Sequence, residues 1–208
     1  MKKYKELQIH YENSLAMYGP NSKGMDWPNS DDLIKRFKVL TSIINEDLSN
    51  NFSVLDLGCG VGLMVDFLKE SNLIKKINYK GIDISPQMIS FAKKRLPQYD
   101  FEERDILESK LDANTFDYVI MNGLFTEKLN MSQSEMFSFF EEMIKIVYNS
   151  CKNGFSFNVM SSHVDWKRDD LFHLELDQLV AFLVKNCSRK IKIDMDYGLY
   201  EYSVFVRK

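Results

Sequence analysis

No run of apolar residues in this 208-residue chain approaches the roughly 18 needed to cross a bilayer, so no membrane-spanning helix is expected. The charged start Met1-Lys2-Lys3-Tyr4-Lys5-Glu6 has no apolar run behind it, so no signal peptide is expected either. Cysteine is scarce. Cys59, Cys151 and Cys187 are odd in number, far apart and form no C-x-x-C pair. That pattern excludes a disulfide framework and a structural zinc site, and it points to a reducing, cytoplasmic location. An excess of positive charge is also missing. With a formal net charge of -3 there is no electrostatic footprint for a nucleic-acid partner. Lys75-Lys76, Lys93-Lys94-Arg95 and Lys167-Arg168 read as solvated helix ends and loops. Repeats, low-complexity segments and a second domain are absent too. The 45% hydrophobic and 27% charged fractions are those of a globular protein, so residues 1–208 are expected to form one domain.

What is present begins with helices. Tyr4, Leu7, Tyr11, Leu15 and Tyr18 recur at spacings of three and four, which predicts an amphipathic helix over 3–18, stopped by Gly19-Pro20. A polar loop containing Trp27 follows. A second helix starts near Ser30-Asp31-Asp32, with a hydroxyl cap and first-turn acids, and presents Leu33, Ile34, Phe37, Leu40, Ile43, Ile44 and Leu48 on one side. Residues 1–50 therefore read as a helical cap, ahead of an α/β core over 51–208.

From there strand and helix alternate. Strands are predicted at 53–57, 77–83, 99–104, 116–121 and 155–160, and intervening helices at 62–70, from Ser85-Pro86 onward, and after the capping box Ser132-Gln133-Ser134-Glu135. A helix over 175–187 leads to strands at 190–196 and 201–207. Repeated βα units imply a mostly parallel sheet covered on both faces. The last two strands are joined by only Tyr197-Gly198-Leu199-Tyr200, which permits antiparallel pairing alone, so the last strand is expected to be antiparallel and to lie at the end of the sheet.

Ligands of open α/β sheets bind at the carboxyl ends of the strands. Here those ends carry Asp56 to Gly62, Asp83, Asp105 and Met121 to Phe125. The glycines Gly58, Gly60 and Gly62 alternate, whereas a dinucleotide fingerprint places its third glycine three residues after the second; Leu63 stands there instead. Asp56 would repel a diphosphate and attract a cation, which favours the sulfonium and amine of S-adenosylmethionine (SAM). Asp83 is placed to hold a ribose diol; a solvated strand-end carboxylate is the alternative. Asp105 can meet an adenine edge while Ile106 covers its face, or it is one acid among Glu102, Glu103 and Glu108.

In four successive motifs, VLDLGCGVG, GIDIS, RDIL and FDYVIMNGLF, residues 52–125 resemble the class I SAM-dependent methyltransferases, and the closing βαββ segment continues the likeness. The resemblance implies a Rossmann-like sheet of seven strands, with SAM as donor and S-adenosylhomocysteine (SAH) as product. It implies that Asp56, Gly58, Cys59 and Gly60 line the methionine and ribose portion. Asp83 and Ile84 would then hold ribose and adenine, Asp105 and Ile106 adenine, and Asn122 would lie near the methyl group. Met88, Arg36 (a partner for the methionine carboxylate, or a surface salt bridge) and Tyr18 are assigned to the same cofactor side. Enzymes of this class that methylate base amino groups carry an (Asp/Asn)-Pro-Pro-(Tyr/Phe) element where this chain has Met121-Asn122-Gly123-Leu124-Phe125, so a nucleic-acid substrate is not expected.

Flanking segments around Tyr18-Gly19-Pro20 with Met25-Asp26-Trp27-Pro28, Asn158 to Asp165 and Tyr197 to Glu201 resemble bacterial methyltransferases encoded among surface-polysaccharide genes. That likeness implies a small polar acceptor: a sugar, a sugar nucleotide or a phosphoramidate-type precursor of a capsule decoration. Lys23, Trp27, Phe125 and Tyr200 are candidates for contacting it. A hydroxyl acceptor needs a general base, for which His163, just past the fifth strand, is the candidate; a loop histidine without a catalytic role is the alternative. An anionic oxygen needs cations instead, with Lys23, Lys167 and Arg168 available. His10 and His173 (in a polar loop) read as structural. A non-catalytic SAM-binding partner subunit and an NAD-dependent oxidoreductase are the competing functions.

Overall fold

Alternation along the strands decides which side chains enter which half of the core. The computed structural model describes residues 2–44 and 51–208. Two helices, α1 (Lys5–Tyr18) and α2 (Ser30–Thr41), precede the sheet. Then come β1 (Phe52–Leu57), α3 (Leu63–Glu70), β2 (Ile77–Asp83), α4 (Pro86–Arg95), β3 (Asp100–Glu103), β4 (Phe116–Phe125), α5 (Gln133–Ser150), β5 (Cys151–Ser161), the two-residue β6 (His173–Leu174), α6 (Leu176–Asn186), β7 (Ile191–Asp194) and β8 (Glu201–Arg207). The strand order is β3-β2-β1-β4-β5-β8-β7, with β6 pairing β5 off this path. All pairings are parallel except β5–β8 and β7–β8.

On one face Leu55, Leu57, Val119, Met121, Phe155 and Phe157 pack with Phe140, Met143 and Val147 of α5 and Leu179 and Phe182 of α6. On the other, Val54, Tyr118 and Ile120 pack with Phe37 and Leu40 of α2, Met64 and Leu68 of α3, and Ile89 and Ala92 of α4. This is the expected Rossmann-like sheet with helices on both faces. Among the described residues no helix is long and apolar enough to cross a membrane.

Several local expectations are corrected. The cap of α2 is Asn29, whose side chain accepts from the Asp31 and Asp32 amides, rather than Ser30. Ser30 is already helical, and a cap must precede the first free N–H groups. Ile34 is 45% exposed rather than part of the packed side, and Leu48 lies outside the described residues. The capping box at Ser132 and Glu135 forms as expected. β4 runs on to Phe125, which pairs with Val159. β6 was not expected, and it takes His173 out of the polar loop and buries it, with Nδ1 2.8 Å from Ser161 O. β8 lies between β5 and β7 instead of at the sheet margin.

Candidate active site

β1 is flanked by β2 on one side and β4 on the other, so the strand order reverses there and the connections leave a crevice at its carboxyl end. The cleft found there measures about 1170 Å³ counted to its open mouth. Asp56, Gly58, Cys59, Gly60, Asp83, Ile84, Met88, Asp105, Ile106 and Asn122 all line it, as does Trp27. Its opposite wall comes from the N-terminal segment through Tyr4, Leu7, Tyr11, Met25 and Phe37. An aromatic stripe on α1 was visible in the sequence; its role as a cleft wall was not.

The turn after β1 is built around backbone donors. Gly58 N and Cys59 N both donate to Ile82 O, at 2.8 and 3.1 Å. Asp83 ties the two halves together: its Oδ2 accepts from Gly60 N at 2.8 Å and its Oδ1 from Ser85 N at 2.9 Å. Burial pushes the Asp83 carboxyl up, opposed by those two amide donors. Gly60 has φ +52°, and a Cβ on it would lie 2.8 Å from Met25 Sδ, so a side chain there would push the Met25 side chain aside and strain the turn. Ser85 caps α4 through Met88 N and donates to Glu12 Oε1 at 2.6 Å, fastening α1 beside the site.

Asp56 is 2% exposed and accepts from the Tyr79 hydroxyl at 2.8 Å. Burial raises its carboxyl to about 7, partly offset by Tyr79 and reinforced by Asp83. At the far end Asp105 accepts from the Tyr4 hydroxyl at 2.8 Å and from Leu107 N at 3.0 Å, with Lys5 Nζ at 3.6 Å. Asn122 Oδ1 is buried without a hydrogen-bond partner. An orphaned acceptor in a cleft bounded by three carboxylates fits a ligand bearing amine and sulfonium groups.

The other assigned residues lie elsewhere. Arg36 stacks 4.2 Å over Trp27, with its Nε 2.8 Å from Glu201 Oε1, an ion-pair contact without hydrogen-bond alignment. It therefore serves a buried partner rather than the cleft. Glu201 also accepts from Asn158 Nδ2 at 3.0 Å, and Asn158 Oδ1 accepts from Gly123 N at 2.7 Å. Gly123, at φ +77°, closes the ring: a Cβ would sit 2.5 Å from the Trp27 indole. No sequence spacing links Trp27, Arg36, Gly123, Asn158 and Glu201. Phe125 is fully buried against Phe139, Phe140 and Phe157, because β4 is longer than the pattern suggested. Tyr18 is 41% exposed under Lys23 Nζ, and Tyr200 is 54% exposed beside Trp166; none of these three lines the cleft. His163 is exposed, bonded only through its backbone to Ser161, and is not brought to the cleft.

Residues 54–150 match the model of a methyltransferase domain family. A putative methyltransferase of Mycobacterium tuberculosis is 33% identical over 163 residues, 76% of this chain and 93% of that protein. The chain belongs to the methyltransferases. The malonyl-[acyl-carrier protein] O-methyltransferase of Acetivibrio thermocellus is 28% identical over 123 residues, covering 58% of this chain and 40% of that protein. Among solved structures, the magnesium protoporphyrin IX methyltransferase of Synechocystis, crystallised with SAM, superposes with a TM-score of 0.67 at 13% identity, covering 100% of this chain and 98% of that one. The plantazolicin methyltransferase BpumL, crystallised with SAH, gives 0.58 at 17% identity, covering 100% and 99%. This methyltransferase is SAM-dependent and yields SAH, which sets the oxidoreductase and the non-catalytic alternatives aside.

The state of Asp56 sets an expectation for donor binding. Acidification through pH 7 protonates Asp56 and removes a negative charge from the wall that faces the cationic donor. From pH 8 to pH 6 the affinity for SAM is expected to fall by about tenfold, because the ionised fraction of a carboxyl with its midpoint near 7 falls by about that factor. SAH, whose sulfur is uncharged, should lose less. Calorimetric titration of both ligands checks this; parallel pH profiles would remove Asp56 from the sulfonium's surroundings.

Proposed function

We propose that this methyltransferase methylates a hydroxyl oxygen of a small polar acceptor, in the context of a cell-surface polysaccharide precursor, and works in the cytoplasm. The single observation that carries the choice of a hydroxyl is the commitment of the cations around the cleft. Lys23 sits over Tyr18. Arg168 pairs with Asp170, Lys167 is exposed and does not line the cleft, and Arg104 donates to the backbone carbonyls of Ser109 and Lys110. An anionic phosphate or phosphoramidate oxygen would find carboxylates rather than free cations beside Asp56, Asp83 and Asp105. The same acidity, with a net charge of -3, speaks against nucleic acid as acceptor. The polysaccharide context rests on the likeness of the flanking segments alone. We treat residues 1–208 as one catalytic unit whose first 50 residues act as cap, because both parts contribute walls to one cleft.

When bound, SAM supplies a methyl group on a positively charged sulfur that leaves as a neutral thioether. The chain's part is to bind and orient. Asp83 is placed for the ribose diol, Asp105 and Ile106 for the base, and Asp56 and Asn122 Oδ1 for the charged amino-acid end. The Trp27–Gly123 contact bounds the reacting side. Holding donor and acceptor in line makes the transfer effectively unimolecular, and the tyrosines and Met25 of the cap exclude water from the cleft.

The test is transfer of label from SAM to a panel containing nucleotide sugars and simple glycosides, alongside phosphoramidates and phosphate monoesters. Label on a sugar hydroxyl is expected, and wild-type and His163→Ala enzyme should transfer equally. Label confined to phosphate-type oxygens would sink the hydroxyl reading.

A further inference from the structure

β4 passes the cleft with its ladder broken. It advances from Met121 to Phe125 while β5 advances only from Phe157 to Val159, so Asn122, Gly123 and Leu124 bulge out of register. All three line the cleft. A bulge leaves backbone groups without their ladder partners and re-aims side chains. Here a side chain replaces the missing partner: Gly123 N donates to Asn158 Oδ1 at 2.7 Å. The Trp27 indole lies against the same glycine, where no Cβ would fit.

Asn158 is fully buried on β5 between the core residues Phe157 and Val159. A buried amide is costly unless both of its ends are paired, and here each end has a partner. Asn158 Nδ2 donates to Glu201 Oε2 at 3.0 Å, which fixes the amide so that its oxygen, not its nitrogen, meets Gly123 N. Glu201 is held in turn by Arg36 at 2.8 Å and by the Tyr197 hydroxyl at 3.3 Å, and Ser203 donates to that hydroxyl at 2.9 Å. Neither Asn158 nor Glu201 lines the cleft. What they anchor does. The peptide that carries the Gly123 N–H also carries the backbone of Asn122, whose Oδ1 is buried without a partner. The anchor therefore sets the base from which that orphaned acceptor projects.

We propose that Asn158 is a positioning residue for donor binding: it holds the β4 bulge in the form that aims Asn122 Oδ1 at the ammonium group of the donor, with Glu201 orienting the Asn158 amide. This rests on the placement of Asn122 at the amino-acid end of SAM given above. An acceptor fixed before the ligand arrives loses little freedom on binding, whereas one that the ligand must order costs affinity. The effect is confined to the amino-acid end. Asp83 and Asp105, assigned above to the nucleoside, are anchored through the amides of Gly60, Ser85 and Leu107 and do not depend on β4.

Calorimetry on the full chain with two ligands tests this and needs no acceptor. SAH carries the amino-acid end; 5′-methylthioadenosine keeps the nucleoside and the thioether sulfur but lacks it. Asn158→Leu is expected to weaken SAH by about 10–100-fold, the worth of one hydrogen bond to a charged group, and 5′-methylthioadenosine by less than about twofold. Asn122→Ala should give the same pattern. The double variant Asn122→Ala/Asn158→Leu should bind SAH no more weakly than Asn122→Ala alone, because the two residues act as one unit. Exchanging the polarity of the pair, Asn158→Asp/Glu201→Gln, returns an acceptor to Gly123 N and a donor behind it, and should bind SAH within about threefold of wild type. If Asn158→Leu does not fold, Asn158→Ser carries the same comparison: it is compatible with a strand that already buries Ser156, and too short to reach Gly123 N. Equal losses for both ligands would show a merely structural role and overturn the proposal, as would losses that multiply in the double variant. If Asn122→Ala itself binds SAH as wild type does, the placement of Asn122 has failed and the bulge has nothing to aim. That outcome is distinct from a loss in Asn122→Ala that Asn158→Leu or Asn158→Ser does not share, which overturns the positioning role alone.

Discussion

Glu201→Ala is expected to lower stability by about 3–5 kcal/mol, the cost of leaving a buried charge without its partner. The Glu201 side chain is 1% exposed, and the Arg36 side chain 12%. Truncation strands the Arg36 guanidinium against Trp27 and deprives Asn158 Nδ2 of its acceptor, while Asn158 still has to hold Gly123 N. The comparison that isolates the cause is the double variant Arg36→Met/Glu201→Gln. It removes both charges yet keeps a carbonyl for Asn158, and replacing a buried pair together is often nearly neutral. Urea midpoints should therefore rank wild type and the double variant close together, with Glu201→Ala far below. Because the ring also presses Trp27 onto Gly123, indole emission in a Trp166→Phe background should shift with Glu201→Ala. A loss below about 1 kcal/mol, within the range of surface pairs, would mean that the pair is solvated and the ring does not constrain Trp27.

Asp83→Ala is expected to weaken SAM binding by on the order of 10²–10⁴-fold, and SAH binding equally. The carboxylate has two tasks. It organises the glycine turn by accepting from Gly60 N and Ser85 N, and in the proposed binding mode it receives the ribose diol. Charge-assisted hydrogen bonds contribute about 1.5–3 kcal/mol each, and every 1.4 kcal/mol is about tenfold in affinity, so losing two gives that range. Asp83→Asn should fall between, since its amide keeps one acceptor but turns an N–H₂ toward a backbone donor. Calorimetry with SAH, alongside near-ultraviolet circular dichroism to confirm folding, decides the matter; an affinity within about threefold of wild type would exclude Asp83 from the nucleoside site. Equal losses for SAM and SAH separate this effect from that of Asp56, which distinguishes them by charge.

Of the cofactor side, most was legible in the chain because it is local. The residues from Asp56 to Gly60, with Asp83, Ile84, Asp105, Ile106 and Asn122, sit at strand ends that alternation locates, and each lines the cleft. The remaining assignments, on both the acceptor and the cofactor side, failed wherever they depended on where a strand stopped or on what a long side chain met. Phe125 looked like a strand-end residue and is core. His163 follows β5 on the correct rim and is exposed. Arg36, positioned on α2 as though to reach a ligand, meets Glu201, 165 positions away in the chain.

By itself the sequence determined the alternation of strands and helices, the antiparallel closing pair, the glycine turn and the acidic strand ends, and so the fold and a site for a cationic nucleoside. Each of these follows from spacing over a few residues, where backbone geometry leaves little choice. Tertiary structure alone decided the roof and the far wall: that α1 covers the cleft, and that Trp27 is clamped between Arg36 and Gly123. Those contacts join segments tens to more than a hundred residues apart. Side-chain length, burial and charge select such partners only once the sheet has brought the segments together.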